Sequence, residues 1–226
     1  MTSFFGARSA SGIDYRRLYE FRFRNVSTSS RAGVWREIAD AVHGWMGRPQ
    51  CVLDVAAGSG EFINAITARE KWAVDVVDFL DDRQDTRKII GDIREVDLPE
   101  AHFDGVFVSN FLEHLVDAEE VGAVLQRLRR SMAPGGSIAV LGPNFRHCPK
   151  AYFDCADHRV VLTHLSVEEH LYAAGYSIDR VVAQFLPFSF RGLLPTDPRL
   201  VRAYLRIPAA WRVLGKQYLV MATNPA

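Results

Sequence analysis

The chain has 226 residues, with 27 basic side chains balanced by 27 acidic ones. Apolar residues at 48% and charged residues at 24% describe a folded globule rather than a disordered or repetitive chain, and zero net charge argues against nucleic acid as the main partner. No apolar run reaches the roughly 18 residues of a membrane span, Met1 to Phe5 lack signal-peptide architecture, and three scattered cysteines, Cys51, Cys148 and Cys155, predict a reduced, cytoplasmic protein.

The amino end reads as a loose tail over residues 1–12, then one or two short amphipathic helices over 13–23. There Tyr15, Leu18, Tyr19, Phe21 and Phe23 are interleaved with arginines. A second helix carries a stripe of Val34, Trp35, Ile38, Ala39, Val42 and Trp45 and stops at Gly47-Arg48-Pro49. A short apolar strand at 50–56 runs into a small-residue turn holding Gly58 and Gly60, then a short helix with Phe62, Ile63, Ala65 and Ile66. Glycines without a Cβ allow a tight turn whose backbone N–H groups approach a ligand closely.

Further strands follow at 72–78, 88–93, 103–109, 137–141, 176–186 and 217–223. Between them come a polar run from Asp81 to Lys88, a helix over 118–132 with Val121, Val124, Leu125 and Leu128 on one face, and a helix over 166–174. A Ser166/Glu169 capping box is expected to start that last helix. Strands alternating with helices imply an α/β fold with a mostly parallel sheet, doubly wound, with helices on both faces and ligands beyond the carboxyl ends of the strands. No linker or repeat divides the chain, so a single domain over 1–226 is expected: a helical cap (1–48), a core (49–186) and an insertion (187–215) before the last strand.

Asp54-Val55-Ala56-Ala57-Gly58-Ser59-Gly60 resembles the first motif of class I S-adenosylmethionine (SAM)-dependent methyltransferases, an acid-x-Gly-x-Gly-x-Gly pattern in which Ala56 replaces the first glycine. Four more segments match in order: Ala73-Val74-Asp75, Gly91-Asp92-Ile93, the run from Phe103 to Leu115, and Met132-Ala133-Pro134-Gly135-Gly136. The resemblance implies a Rossmann-like seven-stranded sheet, SAM as cofactor and S-adenosylhomocysteine as product. It implies cofactor-binding roles for Asp54, Ala56, Gly58, Gly60, Phe62, Asp75, Val76, Asp92, Ile93 and Asn110. In it the strand-two acid accepts both ribose hydroxyls, with Asp78 a neighbouring rival to Asp75. The strand-three acid holds the adenine amino group while Ile93 packs on the ring. Glu113-His114 is a frequent pair in the family, and His114 is there a structural residue.

The acceptor side is expected after strands four and five, in the amino-terminal helices and in the 187–215 segment. His158 is the candidate general base, since imidazole titrates near neutrality, with Asp157 or Asp154 to orient it. His147, Cys148, Cys155 and His158 lack the spacing of a structural zinc site, an ion held by Asp154 and Asp157 is weakly supported, and no metal is expected. Arg199, Arg202 and Arg206 repeat at helical spacing and, with the arginine-rich amino end, suggest a cap that recognises an anionic small-molecule acceptor. Peripheral membrane contact and a homodimer interface are the rival uses of that segment. The function expected is O-methylation of a sugar, glycoside or related metabolite. RNA methylation and a non-catalytic SAM-binding module are the alternatives. Against nucleic-acid methylation in general stands the strand-four exit Ser109-Asn110-Phe111-Leu112, which lacks the Pro-Pro-aromatic element of amino-directed DNA enzymes.

Overall fold

The computed structural model describes residues 13–24, 27–79, 85–188 and 197–226. The expected loose tail at 1–12, residues 81–84 of the polar run and residues 189–196 of the insertion lie outside the described residues. Helix α1 (Tyr15–Phe23) starts at Asp14, whose carboxylate accepts the Arg17 N–H at 3.1 Å. Helix α2 spans Thr28–Trp45. The core then runs β1 (Cys51–Val55), α3 (Glu61–Ala65), β2 (Glu70–Asp75), β3 (Arg87–Ile90), β4 (Phe103–Ser109), α4 (Ala118–Ser131) and β5 (Met132–Pro143). After it come α5 (Pro149–Tyr152), α6 (His164–Ala173), β6 (Ser177–Val182), α7 (Pro198–Leu205), α8 (Pro208–Leu214) and β7 (Gln217–Thr223).

The seven strands form one sheet in the order β3-β2-β1-β4-β5-β7-β6. The first five are parallel, and β7 runs antiparallel to both β5 and β6. Each face buries its own core. On one side Val121, Val124, Leu125 and Leu128 of α4 and Val167 and Leu171 of α6 meet Leu53, Val106, Ile138 and Val220. On the other, Ile38, Ala39 and Val42 of α2 and Phe62 and Ile63 of α3 meet Val52, Ala73, Phe107 and Leu219. Strand β1 is buried along its whole length, which is why it reads as a continuous apolar run broken only by Asp54.

Several local expectations shift. The α6 cap is Thr163, not Ser166: the Thr163 hydroxyl accepts the Ser166 N–H at 3.2 Å while Ser166 Oγ accepts the Thr163 N–H at 2.9 Å. The pair sits one turn earlier because the reciprocal bond forms between the cap and its third helical residue. Strand β6 stops at Val182. Phe185 and Leu186 leave it to bond with the chain leading into β7, Phe185 N–H donating to the Gln217 carbonyl at 2.6 Å. Strand β5 begins at Met132, directly where α4 ends, and absorbs the Pro-Gly-Gly turn as a bulge opposite β4. Gly136 is required there, since a Cβ would sit 2.9 Å from the backbone oxygens of Phe103 and Ala133.

Candidate functional site

Strand order reverses between β1 and β4, and a sheet of this kind opens a crevice at that point, beyond the carboxyl ends of its strands. A cleft of about 910 Å³ lies there. Its floor comes from the strand exits: Asp54, Ala56, Ala57 and Gly58 after β1, Asp75 at the end of β2, Ser109 and Asn110 after β4, and Leu141 in β5. Tyr19, Arg22 and Phe23 of α1, Trp35 and Ile38 of α2, and Leu200, Val201 and Tyr204 of α7 close it from outside.

The glycine loop is held by its own backbone. Ala57 N–H donates to the Val74 carbonyl at 3.1 Å, tying the turn to β2, and Gly60 N–H donates to the Ala57 carbonyl at 2.8 Å. Ala56, Gly58 and Gly60 all take left-handed φ values of 52°, 56° and 72°. For Ala56 that conformation is strained, and the missing glycine of the motif is the residue that relieves it. A Cβ built on Gly58 meets nothing within 4 Å, so the loop faces open space on its cleft side. Gly60 itself does not line the cleft; it caps α3.

Asp75 and the loop interlock. Its carboxylate accepts the Gly58 N–H at 2.8 Å and the Val77 N–H at 2.9 Å. Burial pushes its pKa above the usual carboxylate value, against those backbone bonds. Asp54 is buried, accepts the Ile63 N–H at 3.3 Å, and is pushed well above its ordinary value, chiefly by burial. The rival Asp78 pairs with Lys88 at 2.5 Å and is not part of the cleft wall.

Other expected cofactor residues are not brought together with these. Asp92 is ion-paired with Arg94, which also bonds Glu120. That pairing holds Asp92 below the usual carboxylate range: the Arg94 bond comes first among the causes, partly opposed by burial. Ile93 is buried in the α4-side core, and Val76 does not line the cleft either. Phe62 does line it, stacked on Phe107 with ring centroids 3.8 Å apart. Asn110 sits at φ 48°, with its N–H donating to the Leu141 carbonyl at 2.8 Å and a buried side-chain oxygen without a partner.

The acceptor side is rearranged relative to expectation. His158 and Asp157 do not form a dyad. Asp157 is buried and forms an ion pair with Arg22 of α1, and its other oxygen lies 3.4 Å from His114 Nδ1. Burial raises the Asp157 pKa, but His114 and Arg22 outweigh it and the net shift is downward. His114 Nδ1 is also 3.0 Å from the Asp157 carbonyl. His158 instead packs against Tyr152 and His114, with centroids 4.9 and 5.0 Å away. Burial and then the charge of His114 pull its pKa down to about 4. The imidazole is therefore neutral at pH 7 but a weak base.

Glu113 had no role in the sequence reading beyond its family pairing. It is 1% exposed, lines the cleft, and has neither carboxylate oxygen paired. Burial pushes its pKa up to about 7. The one sequence clue was an acid-histidine pair set between the apolar Phe111-Leu112 and Leu115. Tyr19 and Arg22 were legible only as members of an aromatic and basic helix, and Trp35 only as part of the apolar stripe of the next.

The expected arginine cap is arranged differently at its two ends. On α7 the apolar Leu200, Val201 and Tyr204 face the cleft and Arg199, Arg202 and Arg206 do not line it, whereas Arg22, Arg24 and Arg31 of the amino end do. Arg202 makes a two-pronged contact with Glu37 of α2, both bonds at 2.7 Å. No helix among the described residues is long and apolar enough to cross a membrane.

Residues 53–140 match a family described as "Methyltransferase domain". No relative among curated proteins matches the chain. Among solved structures, a SAM-dependent methyltransferase from Archaeoglobus fulgidus is 20% identical, covering 93% of this chain and 100% of its own at a TM-score of 0.65. A SAM-dependent methyltransferase from Thermotoga maritima is 14% identical over 93% of this chain and 94% of its own, with a TM-score of 0.61. The [4+2]-cyclase SpnF is also similar, at 15% identity, 84% and 82% coverage and a TM-score of 0.60. Likeness of fold at such identities does not select the reaction.

Proposed function

We propose that this chain is a class I SAM-dependent methyltransferase that transfers the methyl group to a hydroxyl oxygen of a small ring-bearing metabolite such as a sugar or glycoside. The observation that carries this reading is the division of the cleft. One side is the glycine loop with Asp54, Gly58 and Asp75; the other is the Glu113–His114–His158 group, its outer two members buried, inside a collar of Tyr19, Trp35, Phe188 and Tyr204.

The residues present fit the cofactor. The open space above Gly58 admits a ligand against the backbone, and the Asp75 carboxylate keeps lone pairs beyond those used by Gly58 and Val77 for the paired hydroxyls of a ribose. A cleft of about 910 Å³ is at the upper end of ordinary ligand sites, room for a nucleoside and an acceptor together. When bound, SAM supplies the electrophilic sulfonium methyl, and the chain has to hold a nucleophile in line with it and exclude water. Apolar side chains of α1, α2 and α7 exclude the water. The aromatic collar stacks on an acceptor ring, and Glu113, His114 and His158 orient its hydroxyl.

The α7 arginines lie outside the cleft lining, and of the arginines that line it Arg22 pairs with Asp157, Arg31 with Glu61 and Arg24 with the Phe21 carbonyl, so a neutral ring is favoured. Incubation with isotopically labelled SAM and matched glycosides, phenols, sugar phosphates and RNA tests the proposal. A methyl ether on a glycoside or phenol is expected. Label on nitrogen, label in RNA, or SAM binding without turnover across the panel refutes it.

A further inference from the structure

We propose that Glu113, His114 and His158 form a binding site for one divalent transition-metal cation, facing the acceptor half of the cleft. One ligand atom from each lies within 4.8 Å of the other two. Ligand atoms about 2.1 Å from a shared ion stand roughly 3 to 3.5 Å apart, so the three must close by at most about 2 Å, within reach of side-chain rotation.

The hydrogen bonds around the group prepare it for an ion. Glu113 is 1% exposed, and both of its oxygens lack a partner. A carboxylate in that position is costly unless something cationic meets it. His114 Nδ1 lies 3.0 Å from the Asp157 backbone carbonyl, an acceptor only. A proton therefore sits on Nδ1, and in the neutral ring Nε2 is the lone pair open to a ligand. Second-shell orientation of a histidine by a carbonyl or carboxylate is the usual companion of metal ligation. His158 Nδ1 is likewise buried without a partner, a ring nitrogen open to a ligand. Two imidazoles and one carboxylate with positions left open are the donor set of first-row divalent ions such as Zn²⁺, Co²⁺, Mn²⁺ and Fe²⁺.

A second cluster, Cys51, Glu70 and His102, meets the same distance criterion but is already satisfied. Glu70 accepts Trp72 Nε1–H at 2.6 Å and is bonded to His102 at 3.0 Å. Burial pushes the Cys51 thiol up to about 12, so it is no thiolate at neutral pH. It also lies at the amino ends of β1, β2 and β4, away from the cleft. The Glu113 group has the orphaned atoms, and it faces the reacting half of the site.

In use, the cation would draw the acceptor oxygen and lower the pKa of its hydroxyl. The proton passes to water, the oxygen lone pair forms the new C–O bond, and the C–S pair returns to sulfur. That use rests on the O-methylation reading; binding of the ion does not.

Titrating chelator-treated full-length protein with Co²⁺, followed by calorimetry and visible absorption, tests the site. One equivalent bound is expected, with ligand-field bands and no thiolate charge-transfer band. Glu113→Gln and His158→Ala should each weaken binding by about tenfold or more, and Cys51→Ser should leave it unchanged. Circular dichroism and SAM calorimetry report whether each variant is folded. No cobalt binding by the unmodified chain, equal binding by folded Glu113→Gln, or a charge-transfer band lost in Cys51→Ser would overturn the proposal. Cobalt bound through the triad with no methyl ether formed would keep the ion site and remove the acceptor reading.

Discussion

Replacing Asp75 separates its cofactor role from its structural one. Each of its oxygens already takes a backbone N–H, Gly58 at 2.8 Å and Val77 at 2.9 Å, and the residue lines the cleft with lone pairs to spare. Charge-assisted hydrogen bonds are worth about 1.5–3 kcal/mol each. Loss of two in Asp75→Ala, partly replaced by water, should cost about 3 kcal/mol of SAM affinity, roughly a hundredfold in Kd. Asp75→Asn keeps one acceptor oxygen and should lose about tenfold. Titration calorimetry with SAM and with S-adenosylhomocysteine reads both, and the ratios should agree because the ribose is common to the two. The pH dependence adds a second check. Burial raises the Asp75 pKa in the unliganded protein, so affinity is fully present above that raised value and falls as pH drops through it. Asp75→Ala should remove this slope. A Kd for Asp75→Ala within threefold of the unmodified chain, or an unchanged slope, would refute the assignment.

Asp54→Asn should raise the thermal midpoint of the unliganded protein near neutral pH while weakening SAM binding. The folded pKa of Asp54 lies above its unfolded value because of burial. Stability is therefore lost as pH rises from about 4, the ordinary Asp value, through the raised folded value. The advantage of the Asn variant should close toward acid pH, and a lower midpoint at neutrality contradicts this. Arg22→Ala strips a buried carboxylate of its partner, since Arg22 and Asp157 side chains are 9% and 1% exposed. With His114 remaining beside Asp157, a loss of about 3 kcal/mol in urea unfolding is expected, at the low end for a broken buried pair. Arg22→Lys should recover only part of it. Arg202→Glu should leave the acceptor KM unchanged, because that guanidinium holds Glu37 and does not line the cleft. A several-fold rise in KM would restore the anionic cap.

The fold was legible because its signals are local. Strands buried on both faces read as unbroken apolar runs, as at Val52–Leu53 and Val106–Val108, and α4 shows its stripe at helical spacing. The glycine loop was legible for the same reason: a left-handed turn needs particular residues at particular positions, and Ala56 stood out as the exception. The cap box of α6 was placed three residues late because two Ser/Thr-led patterns overlap there, and only the hydrogen bonds choose between them.

Roles that depend on a partner distant in sequence were not legible. The pairing of Asp92 with Arg94, which Glu120 also engages, left no mark in the local pattern, and Asp157 looked like the orienter of the adjacent His158. Its real partners come from elsewhere, Arg22 from α1 135 residues away and His114 from the β4 exit 43 residues away. The α7 helix shows the same limit: periodicity located a basic and an apolar face, but not which one turns inward. Amino-acid pattern by itself determined the sheet and the glycine loop, both written in short-range periodicity and turn chemistry. Tertiary packing alone decided what faces the acceptor, since burial strips water from Glu113 and leaves its carboxylate to be satisfied across the cleft.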